Sequence, residues 1–356
     1  MIKRALSLLL CAAVLGILPG CGRRDKGDSS VPPSGSQSGS QSEPAASGSE
    51  VPPEVSETAD IRFCVLPGPG GAGTAWMLDR CAPGAGGPLT VEKVEAADPA
   101  AAGRALSDGT ADMAVLPADE AAALYAREPE TVKVLAVHTL SSLHILEKGG
   151  SSVRSLADLS GRTVYAAGEG GTSEHVITAL LAAAPLRPGA VKFEWLTSDG
   201  AADRMAESEK GVCLLSAPDA AALMQRDGDI RLAFSLAQAL DEPDLEALPQ
   251  DCIAVRTEFA EQEPELVEEM TDLCRRSSGF MAGGENRTEA GALAAELGLL
   301  PGGETAAETL PLCGFTFVTG QEMRRMLESY YALLFDAAPS FIGGAMPYDS
   351  FYCGAD

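Results

Sequence analysis

Aromatic residues are scarce in this chain: 5% of 356 residues, with two tryptophans. A core must come from the small aliphatics that carry the hydrophobic content to 46%. Positive charge is scarce too, with 26 Lys and Arg against 51 Asp and Glu, a net −25. That balance excludes a nucleic-acid binder, which needs a basic face to neutralise phosphates. Histidine is nearly missing. His138, His144 and His175 are the only ones, and there is no HExxH, CxxC or zinc-ligand spacing, so no metal and no other cofactor is expected. GxSxG is absent, which removes the usual serine-hydrolase elbow. Apolar runs long enough to span a bilayer comfortably are missing as well; Ala5–Leu18 is apolar but too short.

What is present begins with that run. Lys3 and Arg4 precede it and Leu18-Pro19-Gly20-Cys21 ends it. The arrangement resembles the lipobox of bacterial lipoprotein signal peptides, with Pro19 departing from the usual small residue. It implies a signal peptide over residues 1–20 and a lipid anchor on Cys21, whose two chains suffice for stable attachment. Residues 21–59 follow as a Ser/Gly/Pro/Glu-rich stretch with almost no bulky apolar side chains. Such a stretch cannot bury a core and reads as a tether, roughly 35 Å end to end if flexible. With Cys11 and Cys21 set aside, seven cysteines remain. The number is odd, several lie in strand-like runs where Cys acts as a small hydrophobe, and one or two disulfides stay open.

From Asp60 onward strand-like and helical runs alternate. Strands are expected at Ile61–Leu66, Leu89–Ala96, Met113–Leu116, Val132–Val137 and Leu143–Glu147, with Asp98 capping a helix that stops near Gly109. Pro67–Thr74 reads as a glycine-rich loop. The pattern restarts with strand Thr163–Ala166, a loop, and helix Ser173–Ala184. An internal echo links the halves: DMAVLPADEAAALY at Asp112–Tyr125 and GVCLLSAPDAAALM at Gly211–Met224. Each apolar strand runs through a Pro-containing turn into acid-Ala-Ala-Ala-Leu. Two similar α/β lobes facing across a cleft would produce this. Ligands of open α/β sheets sit beyond the carboxyl ends of strands, where helix starts point.

Four stretches resemble one family in the right order. SLADLSGRTVYAAGEGGTSEHVITALL looks like the second-lobe opening of type II periplasmic-binding-protein-like solute receptors. ADMAVLPADEAAALY, VRTEFAEQEPELVEEM and the ending FIGGAMPYDSFY resemble further stretches of the ABC-transporter substrate-binding lipoproteins of the nitrate/sulfonate/thiamine-precursor group. The match spans about Ile61 to Tyr352. Where that family has a Pro-Glu-Pro turn, this chain has Ser216-Ala217-Pro218, and its frequent "GGK" lysine is Ala345. The resemblance implies an α/β, two-lobed type II fold with mostly parallel sheets and a hinge between lobes. Lobe 1 would comprise residues 60–147 and 250–356, and lobe 2 residues 148–249.

It also implies where a ligand would lie: Gly68, Pro69 and Gly70 after the first strand; Pro117 and Ala118; Thr139 and Ser141; Gly170, Gly171, Thr172 and Ser173; and Ala217 with Pro218. The loop Gly168–Ser173 is not GxGxxG and no GK[ST] occurs, so it is not a nucleotide site. Its glycines permit close backbone approach at a helix start. The five turns hold no Lys or Arg but do hold Asp119, Glu120, Glu169, Glu174 and Asp219, which favours a neutral, zwitterionic or cationic ligand over an anion. Ser173, Glu174 and His175 are neighbours on a helix start and cannot face one another as a triad. The reading is a monomeric solute receptor that hands a small molecule to an ABC permease at the extracytoplasmic face of the membrane. An exported enzyme or a sensor subunit on the same fold is the alternative. The pyrimidine synthase of thiamine biosynthesis shares the fold, but its cysteine-rich motif is absent here.

Overall fold

The computed structural model describes residues 59–239 and 247–354. The expected signal peptide (1–20), Cys21 and the tether lie outside the described residues, except that the first strand already begins at Ala59. The strands are β1 (Ala59–Val65), β2 (Leu89–Glu95), β3 (Met113–Pro117), β4 (Val132–Leu140), β5 (Leu143–Lys148), β6 (Thr163–Ala167), β7 (Lys192–Leu196), β8 (Gly211–Ser216), β9 (Ile230–Ser235), β10 (Pro249–Arg256) and β11 (Phe315–Val318). The helices are α1 (Pro69–Gly73), α2 (Ala75–Arg80), α3 (Pro99–Ser107), α4 (Ala118–Arg127), α5 (Thr172–Ala183), α6 (Ser198–Glu207), α7 (Ala217–Arg226), α8 (Thr257–Gln262), α9 (Pro264–Ala282), α10 (Arg287–Glu296), α11 (Glu304–Thr309) and α12 (Gly320–Ala337).

Two sheets form, ordered β11-β4-β10-β3-β1-β2 and β7-β6-β8-β5-β9. β1, β2, β3 and β4 share one direction while β10 and β11 run against them. In the second sheet β5 alone is reversed. The reversed strands β10 and β5 are the ones by which the chain enters each sheet from the other. Each is inserted at the same place, between the third and fourth strands of an otherwise parallel set. The sheets therefore superpose in order: β2-β1-β3-β10-β4 matches β7-β6-β8-β5-β9. The echo in the sequence is this equivalence. Its copies are β3 with α4 and β8 with α7, and both helices run from Ala to Arg over ten residues.

The first lobe boundary differs from the sequence expectation of 147/148. β5 pairs with β8 and β9, so the chain has already left the first sheet at Ser141-Ser142. An apolar strand looks the same from either sheet, and only its pairing decides. The two crossing segments are tied together. Ser141 N–H donates to Leu248 O at 2.8 Å and Ser142 N–H to Gln250 Oε1 at 2.7 Å.

Pro67–Thr74 is not the loop its four glycines suggest. It forms α1, with Pro69 at the helix start and every residue of the helix buried. The glycines serve close packing. A Cβ on Gly70 would lie 2.6 Å from Val115 and 2.8 Å from the Asp251 carboxyl carbon, and one on Gly73 would strike the His138 ring. Asp98 caps α3 as expected, accepting from Ala101 N–H at 2.7 Å. Among the described residues Cys64, Cys81, Cys213, Cys252, Cys274 and Cys313 are buried free thiols.

One buried apolar cluster runs through both lobes, joining Leu327, Tyr330 and Tyr331 of α12 to Val164, Val176, Ile177 and Leu214 of the second lobe. The lobes also touch on the other side. There His144 Nε2–H donates to Leu312 O at 2.9 Å and Thr305 Oγ1–H to Gln225 Oε1 at 2.7 Å. No described helix is long and apolar enough to cross a membrane.

Candidate ligand cleft

The carboxyl ends of β1, β3 and β4 and the start of β10 converge on Asp251. In register, Asp251 faces Pro117 on β3 and Thr139 on β4. Thr139 clamps it twice: the hydroxyl donates to Asp251 Oδ2 at 2.7 Å and receives the Asp251 N–H at 3.0 Å. Burial pushes the Asp251 carboxyl up to about 6, against the pull of the Thr139 and Gly70 hydrogen bonds and with help from the nearby Asp119 charge. The mechanism is desolvation of a charge without a paired cation. His138 lies one residue before Thr139, fully buried, with its Nε2–H donated to Gly70 O at 2.8 Å. Burial lowers it to about 4, so the ring is neutral near pH 7 and its Nδ1 has no partner.

Asp119 starts α4 and is 3% exposed. Its partners come from the other lobe. Thr172 Oγ1–H donates to Oδ1 at 2.9 Å and His175 Nδ1–H to Oδ2 at 2.8 Å. His175 is also stacked on Phe341, centroids 4.1 Å apart. Phe341 belongs to the turn Pro339–Ile342 that follows α12. The glycine loop before α5 thus holds a side chain of lobe 1. Its own amides are partly spent: Gly170 N–H donates to Glu174 Oε2 at 2.7 Å. Ser173 lies against Gly168, whose φ of 93° a side chain would strain.

Of the residues expected to meet a ligand, the structure gathers Gly70, Pro117, Thr139 and Thr172 around Asp119 and Asp251. Ala118 joins them through its carbonyl, which accepts from Tyr331 Oη–H at 2.9 Å. Gly68 and Pro69 lead into α1, where Gly68 N–H donates to Leu299 O at 2.8 Å. Gly170, Gly171 and Ser173 are exposed or half-buried on the loop. Ser141 lies in the crossing segment, and its hydroxyl accepts from Leu143 N–H at 3.4 Å. Ala217 and Pro218 begin α7 in the equivalent turn of the second sheet. There Asp219 accepts from Ser198 and Ser216, each at 2.8 Å.

Sequence reasoning missed Asp251, Tyr330 and Phe341. Asp251 had a signal, a lone acid inside the apolar run PQDCIAVR. Tyr330 lies on the buried stripe of α12 with Met323, Leu327, Tyr331 and Leu334, where an aromatic reads as core. Trp76 packs on Phe280 and Trp195 on Phe193. Among the described residues no cluster of His, Cys, Asp and Glu could hold a metal.

Comparison with known proteins is consistent in direction. The family model described as NMT1/THI5 like matches residues 87–284. No curated protein matches the sequence. Among solved structures, an ABC transporter protein from Parabacteroides distasonis is similar at 19% identity with a TM-score of 0.68, over 83% of this chain and 99% of that one. The periplasmic aliphatic sulphonate binding protein SsuA of Escherichia coli is similar at 16% identity and TM-score 0.63, over 83% and 92%. The ligand binding component of an ABC-type import system from Staphylococcus aureus, with zinc bound, is similar at 12% identity and TM-score 0.62, over 83% and 96%. The two-lobed fold of such binding proteins is the fold seen here.

Proposed function

The chain belongs to the NMT1/THI5-like family, and on that premise we propose that it is the solute-binding receptor of an ABC importer. It captures a small organic molecule between its lobes and delivers it to a membrane permease. The observation that carries this reading is the placement of the two sheets. Strand ends and helix starts of one lobe face α5 of the other across Asp119, and the lobes are joined by two crossing segments that can act as a hinge. Ligand contacts to both lobes would favour the closed arrangement, which a permease can then recognise. The solved relatives named as binding components of import systems support the same reading.

In this reading residues 1–20 direct export, Cys21 carries the lipid, and residues 21–59 tether a monomeric domain at the extracytoplasmic face of the membrane. The chain performs no chemistry on its ligand. The test is recovery. A compound that binds the purified chain saturably by calorimetry is eluted by denaturation and weighed by mass spectrometry. Unchanged mass, together with stimulation of the partner transporter's ATPase in proteoliposomes, is the expected result. A converted product would replace the receptor reading with an exported enzyme.

A further inference from the structure

The cleft between the lobes carries two buried carboxylates and, among the described residues, no buried ammonium or guanidinium paired with them. Asp251 is held by a hydroxyl and by backbone. Asp119 is held by a hydroxyl and an imidazole. The Lys and Arg residues of the surrounding elements are placed elsewhere. Arg256 ends β10 and is paired with Asp112 and Glu258. Arg127 ends α4 and is paired with Glu120, and Arg324 begins α12 and is paired with Glu328 and Asp349. α5 contains no Lys or Arg.

A second observation is independent of the acids. Tyr330 is fully buried, and its hydroxyl has no hydrogen-bond partner. The charges of Asp119 and Asp251 both act on that hydroxyl, adding to burial in holding its proton. Ser142, fully buried at the crossing beside Gln250, has an unpartnered hydroxyl as well. Buried hydroxyls are rarely left unpaired, because each forfeits a hydrogen bond that water would have made. Here one stands beside two carboxylates whose negative charge has no full counter-charge.

We propose that the cleft selects a small organic cation, a protonated amine or an amidinium, which is seated between Asp119 and Asp251 and accepts or donates a hydrogen bond at the Tyr330 hydroxyl. The inference rests on the receptor reading and names its ligand class. A cation supplies the missing counter-charge of Asp251 and N–H donors for the unused lone pairs of both carboxylates. An anion such as a sulfonate would enter beside two like charges with only helix starts to favour it, and Glu174 already occupies an amide before α5.

The experiment uses the purified full-length chain, screened by thermal shift and then calorimetry. The cationic probes are phenethylamine, benzamidine, choline and putrescine, and the anionic probes are ethanesulfonate and nitrate. At least one cation should bind. Asp251→Asn and Asp119→Asn should each weaken it by about 30-fold or more, with Tyr330→Phe weakening it less. Circular dichroism of the variants checks that they fold, and neither Asn substitution removes volume. Binding of ethanesulfonate or nitrate without any cation overturns the inference and leaves the receptor reading standing. Binding of no cation in the series, or equal binding by wild type and both Asn variants, overturns it as well. A probe recovered chemically altered overturns the receptor reading instead.

Discussion

His175 and Asp119 stand on different lobes and meet at 2.8 Å between Nδ1 and Oδ2, with Phe341 stacked on the imidazole. The contact is partly buried on the His175 side and closed on the Asp119 side. It joins the lobes through a carboxylate that, in the ligand site proposed above, would also meet the bound molecule, so latching and binding would draw on the same residue.

If this pair is a latch, loosening it must open the molecule without unfolding it. His175→Ala removes a charge-assisted bond and a stacked ring, and Thr172→Val removes the second bond to Asp119. Each should cost the closed arrangement about 1–2 kcal/mol. Small-angle scattering should report a larger radius of gyration for the double variant, with each lobe still resistant to proteolysis. An unchanged radius would show that the apolar packing of α5 on α12 closes the lobes by itself.

The neighbours Asp251 and His138 should give opposing pH dependences. Asp251 is raised from 3.8 to about 6. The folded state then binds a proton that the unfolded state has released, and this contribution to stability falls as pH rises from about 4 to 6. His138 is lowered from 6.5 to about 4. The unfolded state then binds the extra proton, and this contribution falls as pH drops through the same range. In the wild type the two slopes largely cancel. Asp251→Asn removes one of them, so its stability relative to wild type should rise by roughly 2–3 kcal/mol between pH 4 and pH 7. Urea melts at four pH values measure this, and a flat difference would contradict the burial argument for Asp251.

Gly70 and Gly73 should tolerate no side chain. Gly70→Ala places a methyl against Val115 and the Asp251 carboxylate, and Gly73→Ala places one in the His138 ring. Each substitution should destabilise by about 1–3 kcal/mol through overpacking. Each should also disturb Asp251 or its neighbour His138, so chemical denaturation and ligand affinity should both change. Gly170→Ala, at a position open to space, keeps the core intact and isolates the strain of its φ of 75°, lowering stability by roughly 1 kcal/mol.

Cys21→Ala should move the protein from the membrane fraction to the soluble extracytoplasmic fraction, with its domain unaffected. Intact-mass spectrometry decides the matter. Acylation that persists in the variant means the lipid sits elsewhere, and wild-type protein that is cleaved but unacylated means the chain is simply secreted.

Much of this architecture was legible in the residues. The echo of β3–α4 in β8–α7 was visible because strand, turn and alanine-rich helix all repeat. What was hidden depended on pairing across long separations. β5 reads as the next strand of lobe 1 and is claimed by β8 and β9. The glycines after β1 read as a loop because helix propensity argues against them, and tertiary contact overrode it. Thr172 was legible as a candidate from its place at a helix start, whereas its partner across the lobes, Asp119, reads as a helix-start acid until the lobes are brought together. Asp251 escaped because its meaning lies in desolvation, which no short window of sequence displays.

The insertion of β10 has a consequence for how the molecule comes into being. β3 and β4 are not neighbours, since β10 fills the space between them. Until Pro249–Arg256 arrives, the first sheet has a gap bordered by two unpaired strand edges, each a template for wrong pairing. The second sheet, β5 to β9, is drawn from one uninterrupted stretch of chain. It has every strand it needs before β10 is made, while closing the first sheet requires a contact across that whole stretch, which is entropically slow. Connectivity thus sets an order of assembly in which the lobe synthesised first is completed last.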